Sequence, residues 1–174
     1  MSRVLLEGRP GVGKTTVVRR LVAELRSRGV EVAGFTTREL RERGRRVGFE
    51  IEDLAGEAGV LAHVDLPGPP RVGRYGVDVA TLERIALPAL RRPADVLVID
   101  ELGKMELASP RLWAAVSDLF DSGPGTIVAT VHAHAHPFVD LLLRRPDVEV
   151  VRVTERSRDQ LPTVLAAGLA TGRP

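Results

Sequence analysis

The sequence predicts an α/β protein in which a mostly parallel sheet is covered by helices on both faces. Short apolar runs alternate with segments of helical spacing along the chain. A glycine-rich turn joins the first run to the first helix, and the most strand-like run ends in two adjacent carboxylates.

Val4-Leu5-Leu6 is short, apolar and followed by glycine, the pattern of a buried parallel strand. Residues 15–28 carry Val17, Val18, Leu21, Val22 and Leu25 at helical spacing, and Gly29 stops the helix. Residues 30–35 read as a second strand. Residues 36–40 and 47–51 alternate as the arms of an inserted β-hairpin, about 35–53, around Arg41-Glu42-Arg43-Gly44-Arg45. A short strand over 59–64 precedes the loop Pro67-Gly68-Pro69-Pro70, and residues 79–90 form an amphipathic helix that Pro88 kinks or ends. Strands follow at 96–99, 126–131 and 148–153, and helices at 110–120, 138–144 and 159–169. With no repeat, low-complexity segment or linker, residues 1–174 read as one domain.

Composition narrows the function classes. The chain has no Cys, which excludes a disulfide framework and a thiolate zinc site. No apolar run reaches the length of a membrane span, and Arg3 and Glu7 interrupt the N-terminal apolar stretch, so a cytoplasmic location is expected and a signal peptide is not. Formal net charge is only +2, with few aromatics, which argues against a nucleic-acid-binding surface despite Arg38, Arg41, Arg43, Arg45 and Arg46 in the hairpin. Among 25 basic residues only Lys14 and Lys104 are lysines, and both fall in the motifs below. Where arginine serves as the general cation, a lysine marks a place for a compact ammonium.

Gly8-Arg9-Pro10-Gly11-Val12-Gly13-Lys14-Thr15 fits G-x-x-x-x-G-K-S/T without a mismatch, between a strand and a helix. Its glycines let backbone N–H groups turn toward a phosphate, and the helix presents its positive end to the same anion. Gly8 to Thr16 are therefore the phosphate-binding residues. Lys14 reaches the β/γ oxygens, and the Thr15 hydroxyl is a ligand for Mg²⁺, the expected cofactor.

Asp100-Glu101 follows Val96 to Ile99, at the strand end where open α/β sheets bind ligands. Asp100 is expected to hold Mg²⁺ through water, and Glu101 to orient or deprotonate the attacking water. Lys104 either touches the γ-phosphate, pairs with Glu101 or Glu106, or is a surface lysine. Thr130 can bond the γ-phosphate or the water if its strand lies between the first strand and the Asp100 strand, an order that belongs to the additional-strand branch of three-layer P-loop proteins.

Taken together, these residues resemble a small family of P-loop nucleoside triphosphatases of thermophilic prokaryotes and animals, the human cancer-related nucleoside triphosphatase family. The likeness spans nearly the whole chain. It rests on residues 8–16, Gly34 to Arg41, Gly44 to Phe49, Arg71 to Tyr75, Glu83 to Leu90, Asp100 to Leu107 and Thr154 to Leu161. It implies a RecA-like sheet, Glu101 as the catalytic carboxylate, and slow Mg²⁺-dependent hydrolysis of ATP, GTP and other nucleoside triphosphates, with little base preference. The family usually carries Asn-Arg where this chain has Ser157-Arg158, so a base contact by that Asn does not transfer. Within the matched stretches, Thr37, Glu39 and Arg41 alternate on one strand face and can approach the γ-phosphate. Arg71, Arg74 and Tyr75 can make a cationic flap with a stacking ring, and Arg158 can cover a base.

The expected partner is a nucleoside triphosphate bound by a monomer. Two other classes use the same cradle: a nucleotide or small-molecule kinase, for which the arginine-rich hairpin would be the lid, and a nucleotide-dependent RNA-binding or regulatory protein. A guanine-reading N-K-x-D motif is impossible in a chain without Asn. His132, His134 and His136 share a face only in an extended segment and read as a loop rather than a metal site. Trp113 reads as core.

Overall fold

The computed structural model describes residues 2–132 and 136–170; His134 lies outside them. The described strands form one nine-stranded sheet, built in chain order from β1 (Arg3–Glu7), β2 (Val32–Glu42), β3 (Arg45–Asp53), β4 (Ala58–His63), β5 (Arg71–Val72), β6 (Tyr75–Val77), β7 (Val96–Asp100), β8 (Thr126–Val131) and β9 (Val148–Arg152). The spatial order is β5-β6-β4-β3-β2-β7-β8-β1-β9. Strands β2, β7, β8, β1 and β9 run parallel, and every pair from β2 outward to β5 is antiparallel. The sheet is therefore mixed rather than mostly parallel. Strand β8 lies between β1 and β7, the order on which the reading of Thr130 depended.

Among the described residues, five α-helices cover the two faces: α1 (Lys14–Ser27), α2 (Val79–Arg91), α3 (Pro110–Ser122), α4 (Pro137–Leu143) and α5 (Leu161–Ala170). Because successive strand residues point to opposite faces, β1 splits its core residues. Val4 and Leu6 pack with Val17, Leu21 and Leu25 of α1 and Ala166 of α5. Leu5 packs on the other face with Leu82 and Ile85 of α2, Val116 of α3 and Val139 of α4. This sandwiching explains why the central strands read as unbroken apolar runs. Asp78 caps α2 by accepting from Thr81 N–H at 2.9 Å, and Ser109 caps α3 in the same way from Leu112 N–H at 3.0 Å.

Two expectations need correction. Residues 30–35 and the first hairpin arm are one long strand, β2, which pairs with β7 through Thr36↔Asp100 and with β3 from Phe35 to Glu42. The hairpin thus continues the main sheet, and its tip projects past the end of β7. Trp113 is 39% exposed, its ring edge-on to Phe138 at 5.8 Å, and so is not core.

Candidate active site

The turn from β1 into α1 has the geometry its glycines allow. Gly11 and Gly13 have φ of 79° and 107°, where a side chain is strained. A Cβ at Gly8 would stand 2.9 Å from Val12 Cγ1 and 3.1 Å from Val153 O, so the loop closes against the end of β9 only without one. Lys14 is buried, and its ammonium donates to Gly8 O at 2.9 Å and Arg9 O at 3.4 Å, bridging the mouth of the loop. Thr15 and Thr16 follow Lys14 in the first turn of α1. Arg9 lies on the outer side and pairs with Glu155.

The parallel register brings the acidic pair to this turn. Asp100 ends β7 fully buried, and the hydroxyl of Thr130 on β8 donates to its Oδ1 at 2.6 Å. The Thr15 hydroxyl also acts on this carboxylate. Burial pushes Asp100 up to about 6, opposed by the Thr130 and Thr15 hydroxyls. Its Oδ2 is the one buried side-chain oxygen or nitrogen among the described residues that has no hydrogen-bond partner. A partnerless buried carboxylate oxygen beside a hydroxyl is a donor pair suited to a hard divalent cation, which takes oxygen ligands and keeps several waters. No group of three or more His, Asp or Glu side chains among the described residues could hold a metal ion by itself.

Glu101 leaves the strand toward the loop, with Oε2 3.8 Å from the Lys14 ammonium. Burial raises its pKa against the pull of Lys14, which favours proton acceptance from water. The loop that carries it is held down by Leu102 N–H donating to Thr130 O at 2.9 Å.

Glu106 opens a 3₁₀ turn, Glu106–Ala108, and is 4% exposed. Burial first, then the neighbouring Glu101 charge, pushes it up to about 8. The sequence presents Glu106 only as a partner for Lys104. The one signal of its burial is its place between Met105 and Leu107, which insert into the core.

The folded protein keeps a proton on Glu106 between 4.5, its ordinary value, and about 8, where the unfolded chain has lost it. The stability Glu106 contributes is complete below that window. It falls as pH rises through the window, by at most about 1.4 kcal/mol per pH unit. Asp100 acts with the same sign between 3.8 and about 6. Glu106→Gln is expected to narrow the difference between denaturation midpoints at pH 5 and pH 8 relative to wild type. An unchanged or wider difference would contradict this.

The remaining predicted residues divide into two groups. Arg158 comes to the cradle: its guanidinium donates to Val12 O at 3.2 Å, and its Cδ stands 3.4 Å from where a Gly13 Cβ would be. The turn behind it is fixed by reciprocal bonds, Ser157 N–H to Thr154 Oγ1 at 3.1 Å and Thr154 N–H to Ser157 Oγ at 3.0 Å. Lys104 is exposed on the loop; burial first, then the charges of Lys14 and Lys104, hold His132 below its ordinary pKa. His132 lines the opening beside the glycine-rich turn.

Glu39, Arg41 and Tyr75 are instead joined at the hairpin. Glu39 accepts from Arg41 at 2.9 Å and from Arg46 at 2.8 Å, and Arg46 donates to the Tyr75 hydroxyl at 3.2 Å. The Tyr75 ring is buried edge-on to Phe49 at 5.4 Å, with the Arg74 guanidinium 5.2 Å from its centre. It is occupied as a packing element on β6, six places from β1 in the sheet, and is not a free stacking ring. Thr130, on β8 beside β7, donates its hydroxyl proton to Asp100 Oδ1.

Beside the cradle, an opening of about 800 Å³ lies between Gly8, Arg9, Pro10 and Val12 on one side and Thr154 and Glu155 on the other, with His132 in its lining.

The chain is similar to known proteins over nearly its whole length. The sequence model of a family described as NTPase matches residues 3–166. A nucleoside-triphosphatase THEP1 from Thermotoga sp. (strain RQ2) is 43% identical over 162 residues, covering 91% of this chain and 90% of that protein. The cancer-related nucleoside-triphosphatase of Homo sapiens is 43% identical over 175 residues, covering 91% of each. Among solved structures, the crystal structure of THEP1 from the hyperthermophile Aquifex aeolicus superposes with a TM-score of 0.86 at 32% identity, over 97% of this chain and 99% of that one.

Proposed function

The chain belongs to the nucleoside-triphosphatase family, and we propose from that premise that it hydrolyses nucleoside triphosphates to diphosphate and phosphate at the junction of residues 8–16 with Asp100 and Glu101. The observation that carries the reading is the register of β7, β8 and β1, which brings a raised-pKa carboxylate, Glu101, to 3.8 Å from the cradle lysine.

On this reading the glycine-rich turn and the start of α1 bind the phosphates through backbone N–H groups. A γ-phosphoryl group displaces Lys14 from the Gly8 and Arg9 carbonyls, and its ammonium then neutralises the transferring oxygens. Glu101 accepts the proton of the water that attacks the γ-phosphorus, and the bond to the β-γ bridging oxygen breaks. A magnesium ion held by Thr15 and, directly or through water, by Asp100 would supply charge neutralisation of the β and γ oxygens. The 800 Å³ opening beside the turn accepts a nucleoside without a guanine-reading motif, consistent with broad base use. Arg158 is placed at that side of the cradle. The proposal keeps the chain a cytoplasmic monomer; no described helix is long and apolar enough to cross a membrane.

Thr130 enters as the orienter of Asp100. Thr130→Val removes the bond to Oδ1 and is expected to raise the magnesium concentration for half-maximal turnover by about 10-fold or more. It should also destabilise the fold by about 1–3 kcal/mol. A magnesium titration indistinguishable from wild type would contradict the role.

The function is tested by following products from a panel of ATP, GTP, CTP and UTP, with magnesium or with EDTA, in water alone. Diphosphate and phosphate in equal amounts from all four, with magnesium only, support the reading. A chain that turns over only when a phosphate acceptor is added is a kinase.

A further inference from the structure

We propose that Glu106, a buried acid that the steps above do not use, is a positioning residue that holds Glu101 in the orientation from which it acts on water. The inference rests on the reading of Glu101 as the base.

The segment from Glu101 to Leu107 is a tight loop held by three hydrogen bonds, one of them to β8. Leu102 N–H donates to Thr130 O at 2.9 Å, Leu107 N–H to Gly103 O at 3.0 Å, and Gly103 N–H to Glu106 Oε2 at 3.1 Å. The third tie is made by a side chain, and it folds the Glu106 carboxyl back under the residue that follows Leu102. A Cβ on Gly103 would stand 2.9 Å from Glu106 Oε2 and 3.2 Å from Glu101 Oε1. The two carboxyl groups therefore both border a position with no side chain and lie no more than about 6 Å apart, the range over which like charges oppose ionisation.

Glu101 is thus bracketed. Oε2 faces the Lys14 ammonium at 3.8 Å, and Oε1 faces Gly103 and Glu106. A lysine alone would draw Glu101 into an ion pair and away from a water. The Glu106 bond to Gly103 N–H holds the loop that carries Glu101 and so limits how far the carboxylate can follow the lysine. Glu106 has no cation partner among the described ion pairs and is buried beside another carboxylate, conditions that keep an acid neutral. In that form one oxygen accepts the Gly103 N–H without drawing a cation into the loop, and the bond fixes the backbone two residues beyond Glu101.

The test compares kcat and KM for Glu106→Gln and Glu106→Met, each alone and combined with Glu101→Gln. Glutamine keeps a neutral donor and acceptor, so Glu106→Gln should hold kcat within about threefold of wild type. Methionine keeps the volume but no hydrogen bond, so Glu106→Met should lower kcat by about 10-fold or more with KM within about twofold, the signature of a misplaced reacting group. In the Glu101→Gln background neither change should lower kcat further. Unchanged kcat in Glu106→Met overturns the proposal, as does a Glu106→Gln loss as large as that of Glu106→Met. An additive loss in the double variant also overturns it, while leaving Glu101 as the base. Full activity of Glu101→Gln alone overturns the base assignment, and this proposal with it. Should Glu106→Met not fold, Glu106→Asp, which withdraws the carboxyl by one methylene, must lower kcat at constant KM; wild-type kcat there overturns the proposal.

Discussion

Glu101→Gln is expected to lower kcat by about 10²–10⁴-fold while nucleotide affinity stays within a few-fold of wild type. The amide preserves the volume and the position beside Lys14 but cannot accept a proton from water. On the proposed reading, binding is carried by the turn at residues 8–16, whose backbone the substitution does not touch. Because Lys14 is buried and bridges Gly8 O and Arg9 O, it keeps two acceptors when the Glu101 charge is removed, so the cradle should remain folded. The comparison needs turnover and an equilibrium binding measurement on the same preparation. Wild-type kcat would remove Glu101 from the mechanism. A parallel loss of binding and turnover would make it a structural partner of Lys14.

The largest effect on stability is expected at Gly34. This residue lies in β2 opposite Val98 of β7, with φ of 116°. A Cβ there would stand 1.9 Å from Val98 O and 2.8 Å from Val98 N, so even alanine drives into the backbone of the neighbouring strand. Neither strand can retreat, because β7 is fixed by β8 on its other side and ends in Asp100. Gly34→Ala is expected to cost about 3–5 kcal/mol, in the range of the most damaging single substitutions. Gly44, at the hairpin tip with φ of 79° and open space around it, isolates the conformational part; Gly44→Ala is expected to cost about 1–2 kcal/mol. Denaturant midpoints of both variants check the contrast. Equal losses would mean that strand spacing is not what requires glycine at residue 34.

What the sequence makes legible follows from how local each signal is. The β1–turn–α1 unit is contiguous and its chemistry depends on residue type at fixed spacing, so the cradle reads directly from Gly8 to Thr16. Asp100 and Glu101 are legible because four apolar residues announce a buried strand and the carboxylates mark its end. The continuity of β2 is hidden because its first half is buried on both faces and its second half is an exposed, charged ribbon. A single element therefore changes pattern midway. Strands of two and three residues, β5 and β6, are too short to show a period, and only pairing within the sheet defines them.

Side-chain environments set by tertiary packing are the least legible. Tyr75 follows two arginines at short range and looks like an exposed stacking ring, yet Phe49 and Arg46, reached through β3, take both its edge and its hydroxyl. Thr130 is correctly placed between β1 and β7, but its proton goes to Asp100 because the two strand ends lie side by side. Glu106 looks like an ordinary loop acid; only the return of its carboxyl to Gly103 N–H shows that it is enclosed.

The most direct test of hydrolysis at this site is the fate of labelled oxygen. Wild-type protein turning over ATP with magnesium in water enriched in oxygen-18 should place a single heavy oxygen in the released phosphate and none in the diphosphate, as attack of water on the γ-phosphorus requires. Heavy oxygen in the diphosphate, or phosphate released without any label, would contradict the account.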